Sequence, residues 1–459
     1  MTHIAEARTV DPELPAKRAA KSGFWGGIAE YYDFGLYGTA SAVIFPTVFF
    51  GGGENPGLAN VASLASFGVA YLARPLGAIV LGHLGDNWGR KKTLNLTLGL
   101  MGIATLVIGF LPSYAVLGPT AGVILILMRL VQGFSAGGEQ AGSNTLTSEL
   151  APPDKRGRYT AWTMHGLTIG QLLGIAAFIP FSGNTEFLMG IGWRIPYFIA
   201  IPLVLWALYV RSKVIELPKA TVASVATGEA VATGETIATG ESVETVVPVQ
   251  KAVKRQGSLV TLFRFHLPNV IRVVFMAQFA ITGVLLANYS LNYGTTYWDA
   301  SRTLMLTLAT VSMAVGLLVQ PGWAALSDKI GRRPVYIISM VGLVSLFPVL
   351  FYSLQLGNTT LMISLFIVIG LIATGGNVVQ APMYTEMFPT EVRMTGYAVS
   401  TQIGNIIVGF TPMIAALLVR PGPFGWVPVI IFTSVMMGLG ILSCFSTKET
   451  KGTVIVEKA

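Results

Sequence analysis

Glu30, Asp33 and Glu139 are the acids that fall inside otherwise apolar stretches of the sequence, and Arg129 is the base set deepest in one. An ionisable group at the centre of a bilayer costs at least ~2.5–3.5 kcal/mol even on lenient scales, so each needs a reason to be there. Glu30 and Asp33 are three residues apart, a spacing that puts both on one face of a helix. Low dielectric favours a neutral carboxyl, whereas a neighbouring guanidinium favours the ionised one. A carboxylate that alternates between those surroundings loads and releases a proton. Arginine does not titrate, so the acids must carry it. The competing reading is a static ion pair that only sets helix register.

Other polar residues widen the set. Arg74, just ahead of Pro75, is expected to snorkel to the membrane surface or to clamp a loop. His165 lies within an apolar segment and has the chemistry of a proton shuttle near neutral pH, although a neutral, hydrogen-bonded ring is the commoner outcome. Tyr37, Gln171, Gln278, Asn288, Tyr289, Asn292, Tyr293, Asn377, Gln380, Gln402 and Asn405 add phenols and amides within apolar segments. Such groups orient small polar solutes in a cavity, or tie helix to helix at about 0.6 kcal/mol each.

The elements that position these residues follow from composition. Of 459 residues, 53% are apolar and 11% charged, against roughly 25% charged in a soluble protein. No soluble interior hides so much apolar sequence. Windows long enough to cross a bilayer as helix recur at 24–50, 59–82, 93–112, 119–146, 159–181, 193–211, 268–293, 303–326, 334–354, 360–381, 395–419 and 426–446. The expected fold is an all-α membrane protein of twelve transmembrane helices. Its parts are an N-terminal tail (1–22), a six-helix half (23–211), a linker (212–267), a second six-helix half (268–446) and a C-terminal tail (447–459). Of the 30 lysines and arginines, 24 fall in the tails and loops of one side and three on the other. The positive-inside rule then places both termini in the cytoplasm. The net charge of +8 is therefore topological, and no nucleic-acid partner is expected. The linker contains ATGEAVATGETIATGE (Ala226 to Glu241), too poor in apolar groups to fold, and reads as a tether. The first 21 residues are not a signal peptide, and one cysteine, Cys444, excludes an internal disulfide and a cysteine-held metal.

Charged motifs at the span ends repeat. GHLGDNWGRKKTL after span two and GWAALSDKIGRRPV after span eight superpose Asp86 on Asp328 and Arg90 on Arg332. Glu149 with Arg156 after span four matches Glu386 with Arg393 after span ten. The halves are thus parallel repeats, with a solute site expected between them near the midplane. The duplicated G-x-x-x-D-x-x-G-R-[KR] motif resembles the major facilitator superfamily. AEYYDFGLYG (29–38), YLARPLGAIVLGHLGD (71–86), RLVQGFSAGGE (129–139) and GWRIPYF (192–198) are similar to its metabolite:proton symporters, whose members carry shikimate, 2-oxoglutarate, citrate or proline and betaine.

The resemblance implies that Asp33 faces the pathway and pairs with Arg129; Glu30, nearer the cytoplasmic end, is then a structural partner, or the proton carrier in place of Asp33. It also implies a cytoplasmic gate in which Arg90 and Arg332 clamp the carboxylates Glu149 and Glu386. The function expected is proton-coupled import of a small polar, carboxylate-bearing metabolite by alternating access, in a bacterial cytoplasmic membrane, by a monomer without cofactor or metal. Arg129 would serve the solute carboxylate and Asp33 in turn. The rivals are a proton-driven efflux antiporter and a uniporter or carrier of zwitterionic osmolytes. A membrane-embedded enzyme or a receptor ranks last: no H-E-x-x-H, nucleophile-elbow or phosphate-loop motif is present, and the linker and tails are too small for a signalling domain.

Overall fold

The computed structural model describes residues 13–53, 55–150, 156–213, 258–389 and 392–449. The repeat segment 226–241 and the motif loop 151–155 lie outside them. Twelve long helices account for the described chain: α1 (Leu14–Val43), α2 (Pro56–Trp88), α3 (Arg90–Phe110), α4 (Pro119–Leu150), α5 (Arg156–Ala176), α6 (Arg194–Ser212), α7 (Leu267–Tyr297), α8 (Arg302–Ile330), α9 (Arg332–Gln355), α10 (Thr359–Glu386), α11 (Arg393–Leu418) and α12 (Val427–Phe445). Eleven are long and apolar enough to span a bilayer. The exception, α1, is as long as the others but carries five charges, Lys17, Arg18, Lys21, Glu30 and Asp33.

Local chemistry sets the helix ends. Asn55, Ser301 and Asn358 cap α2, α8 and α10 by accepting the third following amide N–H at 3.1, 3.5 and 3.0 Å. The reversals between α2 and α3 and between α8 and α9 are tighter than the sequence suggests. Each is a single glycine, Gly89 or Gly331, at φ 108° and 104°, where a side chain would be strained. Most of each charged motif is therefore helix, not loop. The N-terminal tail is also shorter than expected. α1 starts at Leu14 because Ala16 and Ala20 pack on Tyr159, whose hydroxyl donates to Glu13 at 2.6 Å.

The two halves repeat one packing scheme. α1 packs on α5, α2 on α4 and α3 on α6, and the same pairings recur as α7 on α11, α8 on α10 and α9 on α12. The halves meet along α2–α11 and α5–α8, two contacts that exchange under the internal symmetry. Within the first half α1 and α5 touch backbone to backbone. Gly166, Gly170 and Gly174 of α5 lie against the carbonyls of Phe24, Ile28 and Tyr32, where no Cβ fits. Gly35 of α1 returns the contact against the Gln171 carbonyl. This stripe holds the acid-bearing helix rigidly against the rest of its half.

Hydrogen bonds between the halves cluster at one end. The amide Nδ2 of Asn292 donates to the Ala42 carbonyl at 2.6 Å and to Asn60 Oδ1 at 2.7 Å, Ser182 and Thr303 join their hydroxyls at 2.7 Å, and Arg302 donates to Thr185 at 3.0 Å. That end is opposite the Gly89 and Gly331 turns.

Candidate functional site

The deepest polar cluster is built by α1, α3 and α4. Asp33 Oδ1 accepts from Thr105 Oγ1 at 2.6 Å and from Gln132 Nε2 at 2.8 Å. Gln132 Oε1 in turn accepts from Arg129 Nη1 at 3.1 Å. Arg129 and Gln132 are three apart on α4, so one helix face delivers both the cation and the amide that bridges it to the acid. The direct approach of Arg129 Nη1 to Asp33 Oδ2 is 3.6 Å, an ion pair without a hydrogen bond. Three buried atoms here have no hydrogen-bond partner: Asp33 Oδ2, Arg129 Nε and Arg129 Nη2. The guanidinium lies instead over aromatic faces, 4.1 Å from the Tyr37 centroid, 4.5 Å from Phe34 and 5.5 Å from Phe67. Tyr37 itself is anchored by donating to Ser66 Oγ at 2.8 Å.

A second pair lies toward the glycine turns. Arg74 Nη2 is 3.8 Å from Glu30 Oε1. Arg74 does not snorkel. It is 3% exposed, with its guanidinium 4.1 Å from the Phe34 centroid and 4.6 Å from Tyr71. The aromatic faces compensate a buried cation that the sequence suggests should reach for water.

Glu139 stands apart from both. Its carboxylate is gripped by both terminal nitrogens of Arg211, accepts from Thr97 Oγ1 at 2.6 Å and lies 3.3 Å from the Ser143 hydroxyl that donates to it. Arg211 also donates to the Leu94 carbonyl at 2.6 Å and to Ser22 Oγ at 3.2 Å. Position 211, counted above among the linker charges, is thus a fully buried residue in the last turn of α6. Removing it from the loop count leaves the charge asymmetry unchanged in sign. Periodicity could have found it, because it continues the inner face of Ala200, Val204 and Ala207.

The remaining candidates separate into groups. α7 is irregular where its polar residues fall: Gln278 lies in a 3-10 turn (Ala277–Ala280), and Asn288 and Tyr289 in a π turn (Leu285–Tyr289). Such departures from α geometry re-aim side chains and recur at functional sites. Gln278 donates to the Val274 and Gly404 carbonyls at 2.9 and 3.0 Å, leaving its buried Oε1 without a partner. Gln402 Oε1 on α11 is likewise buried and unpartnered. Asn288 presses its amide on Gly38 of α1, across the interface between the halves. Tyr289, by contrast, donates to the Ala415 carbonyl at 3.2 Å and stacks on Tyr293 and Phe351, a packing role within the second half. Asn292 belongs to the end where hydrogen bonds join the halves. Asn377 is exposed and accepts from Gln380 at 3.1 Å. His165 packs beside Trp162, their rings 6.5 Å apart, and Gln171 is half-buried on the same helix. Neither is among the partners given above for Asp33.

Of the expected gate, the side chains of Asp86, Arg90, Glu149 and Arg156 lie outside the described residues. In the second copy Arg332 Nη1 reaches Asp328 at 2.5 Å and Ser327 Oγ at 2.7 Å, and not Glu386. Glu449 takes the first free amides of α9, accepting from the N–H of Arg332 at 2.8 Å and of Arg333 at 3.1 Å. A carboxylate is favoured at a helix N-terminus by the dipole, and Glu449 supplies it here. Arg393 donates to the Phe388 carbonyl at 3.2 Å; partial burial lowers the proton affinity of its guanidinium, an effect that Glu386 opposes.

Carried back along the helices at the spacing that superposes Glu149 on Glu386, Arg129 falls on Phe366 and Glu139 on Gly376. At the spacing that superposes Asp86 on Asp328, Arg74 falls on Gly316. The duplication keeps its charged turns, while the buried ion pairs occur in the first half.

Comparison with known proteins agrees with this arrangement. The family model "Sugar (and other) transporter" matches residues 23–458. The chain is 35% identical over 423 residues to the shikimate transporter of Escherichia coli, covering 91% of each chain. It is 31% identical over 448 residues to the proline/betaine transporter of Salmonella typhimurium, covering 96% of this chain and 85% of that one. In fold it is similar to the crystal structure of a D-xylose-proton symporter, with a TM-score of 0.72 at 19% identity over 95% of this chain and 98% of that one. A twelve-helix scaffold with duplicated charged turns, matched from end to end by membrane transporters and by no enzyme among these relatives, places the chain in the sugar (and other) transporter family of the major facilitator superfamily.

Proposed function

We propose that the chain is a proton-coupled symporter that imports a small, polar, carboxylate-bearing metabolite through a bacterial cytoplasmic membrane, with both termini in the cytoplasm. The observation that carries this reading is the loose Asp33–Arg129 pair. A buried arginine with two unused donor atoms, held by aromatic faces rather than by its acid, is ready for a second carboxylate. When the solute carboxylate takes Arg129, Asp33 loses its counter-ion in a low-dielectric site and binds a proton. Solute and proton then cross together. When the solute leaves, Arg129 returns to Asp33 and drives the proton off. Arg129 is thus the shared cation, and Asp33 the carrier.

Glu139, bound on both oxygens by Arg211, Thr97 and Ser143, serves as a clamp joining α3, α4 and α6. The neutral amides of α7 and α11 serve solute orientation, with the unpartnered oxygens of Gln278 and Gln402 accepting from hydroxyl or ammonium donors. With the basic turns on the cytoplasmic side, the hydrogen-bonded end is the outer one, and the conformation is inward-facing.

The names of the relatives, shikimate transporter and proline/betaine transporter, support two solute classes, a hydroxylated acid and a zwitterion. Both carry the carboxylate that Arg129 requires. Reconstituted protein with a pyranine-loaded lumen, challenged in turn with shikimate, proline and betaine, tests the reading. Solute-dependent proton entry in the direction of uptake supports it. Solute-driven proton exit would make the chain an efflux antiporter, and solute flux without proton flux a uniporter.

A further inference from the structure

We infer that Glu30 and Arg74 form a second proton station in series with Asp33 and Arg129, and that the Phe34 ring is the septum between them. The inference rests on the proton-coupled reading above and adds the route by which the proton leaves.

The first ground is the state of the carboxylates. Glu30 and Asp33 share one pattern: each is buried, each faces a guanidinium at 3.8 or 3.6 Å, and each has one oxygen, Oε2 or Oδ2, without a hydrogen-bond partner. Glu139, bound on both oxygens, has no such vacancy. A buried carboxylate left partly unsatisfied is costly as an anion, and the cost falls when a proton arrives.

The second ground is Phe34, which follows Asp33 in sequence and lies one helical turn beyond Glu30. Both guanidiniums sit over its ring, Arg74 at 4.1 Å and Arg129 at 4.5 Å from the centroid. Each cation also has an aromatic face of its own, Tyr71 for Arg74 and Tyr37 for Arg129. Aromatic faces hold a cation without neutralising it. Either arginine can therefore let go of its acid without becoming an orphaned charge, while the shared ring keeps Arg129 from Glu30 and Arg74 from Asp33.

The third ground is position. α1 runs from the end bearing the glycine turns, so Glu30 lies one turn nearer that end than Asp33 on the same face. The groups around the first station are Thr105 and Gln132 from α3 and α4, with Tyr37 beside Arg129. Around the second are Tyr31 and Tyr71, with Tyr397 of α11 in electrostatic reach of Tyr31 and the Glu139–Arg211 pair beyond.

The step balances simply. The O–H bond of protonated Asp33 breaks and an O–H bond to the Glu30 carboxylate forms. Asp33, ionised again, closes on Arg129, while neutral Glu30 loosens from Arg74 and passes the proton to water at the end of the glycine turns. One proton moves and no other bond changes. Phe34 acts as a positioning residue, since it touches neither solute nor proton.

Infrared difference spectra of the purified full-length protein, recorded between alkaline and acid pH in the carbonyl-stretch region of protonated carboxyl groups, test the two stations without any solute. Two buried carboxyl signals are expected in the wild type, one lost in Asp33→Asn and the other in Glu30→Gln. A Glu30→Gln spectrum identical to wild type, with the Asp33 signal present, overturns the second station alone. A Asp33→Asn spectrum identical to wild type instead sinks the coupling reading itself. Should Glu30→Gln not insert, Glu30→Asp keeps a carboxyl at shorter reach and must shift the same signal; an unshifted signal overturns the station equally. The septum has its own readout. Under an imposed membrane potential, Phe34→Ala proteoliposomes should leak protons several-fold faster than wild type, Phe34→Leu much less, and Phe34→Ala/Glu30→Gln not at all. A tight Phe34→Ala protein, or a leak that persists without Glu30, overturns the role given to the ring.

Discussion

The two halves share a packing scheme and charged turns, yet differ inside. The first buries three carboxylate–guanidinium pairs between its own helices. The second has Phe366, Gly376 and Gly316 at the positions matching Arg129, Glu139 and Arg74, and presents amides and stacked aromatics instead. Buried ion pairs tolerate rearrangement only where the freed charge finds another partner. In the proposed mechanism, confining them to one half lets that half handle the proton and leaves the other to bind the solute by neutral hydrogen bonds. The frame is symmetric, and the distribution of these buried pairs is not.

The sharpest way to break this division is Asp33→Asn. It keeps the shape and removes the titration, so proton-driven accumulation should fall to background while solute counterflow exchange persists. Unimpaired uphill uptake would remove Asp33 from the mechanism. Arg211→Ala probes the clamped pair of the same half. Stranding Glu139 should cost about 3–5 kcal/mol, read as a large drop in the thermal unfolding midpoint in detergent. A protein as stable as wild type would mean that the clamp does not hold α6 to α4. Arg129→Lys keeps the charge but loses the planar fork. Solute affinity should weaken roughly tenfold, equivalent to about 1.4 kcal/mol, in counterflow assays.

Variants of the second half should behave differently. Gln278→Ala and Gln402→Ala should each raise the KM for uptake by roughly fivefold, the worth of about one hydrogen bond of ~1 kcal/mol, with the proton-to-solute ratio unchanged. An altered ratio would blur the division between the halves. The smallest effect is expected at the end where hydrogen bonds join the halves. Asn292→Ala removes the amide that joins Ala42 and Asn60 and should shift the population toward opening there. Distances between spin labels at the ends of α2 and α7 that Asn60 and Asn292 join would report the shift, and an unchanged distribution would deny Asn292 its role as a latch.

Much of this was legible before any coordinates. Apolar windows located all twelve helices, and the repeats named the turns that Gly89 and Gly331 make. Errors came where charge and helix overlap. α1 begins ten residues earlier than its apolar window because charges at a membrane edge do not stop a helix. Arg211 reads as a loop charge because basic residues usually end a span. Asn292 reads as a solute ligand because an amide inside an apolar stretch has the same appearance whether it binds solute or joins the two halves.

What the sequence determined by itself is the twelve-helix scaffold, its internal repeat and which buried groups can hold charge. Those depend on composition and on spacing within one helix, both of which are local. Apart from Asp33 with Arg129, a pairing that the family resemblance already implies, which acid meets which base was decided only in three dimensions. Asp33 with Arg129, Glu30 with Arg74 and Glu139 with Arg211 are each joined across different helices, and the partner of a buried charge is chosen by packing between helices that no spacing along the chain encodes.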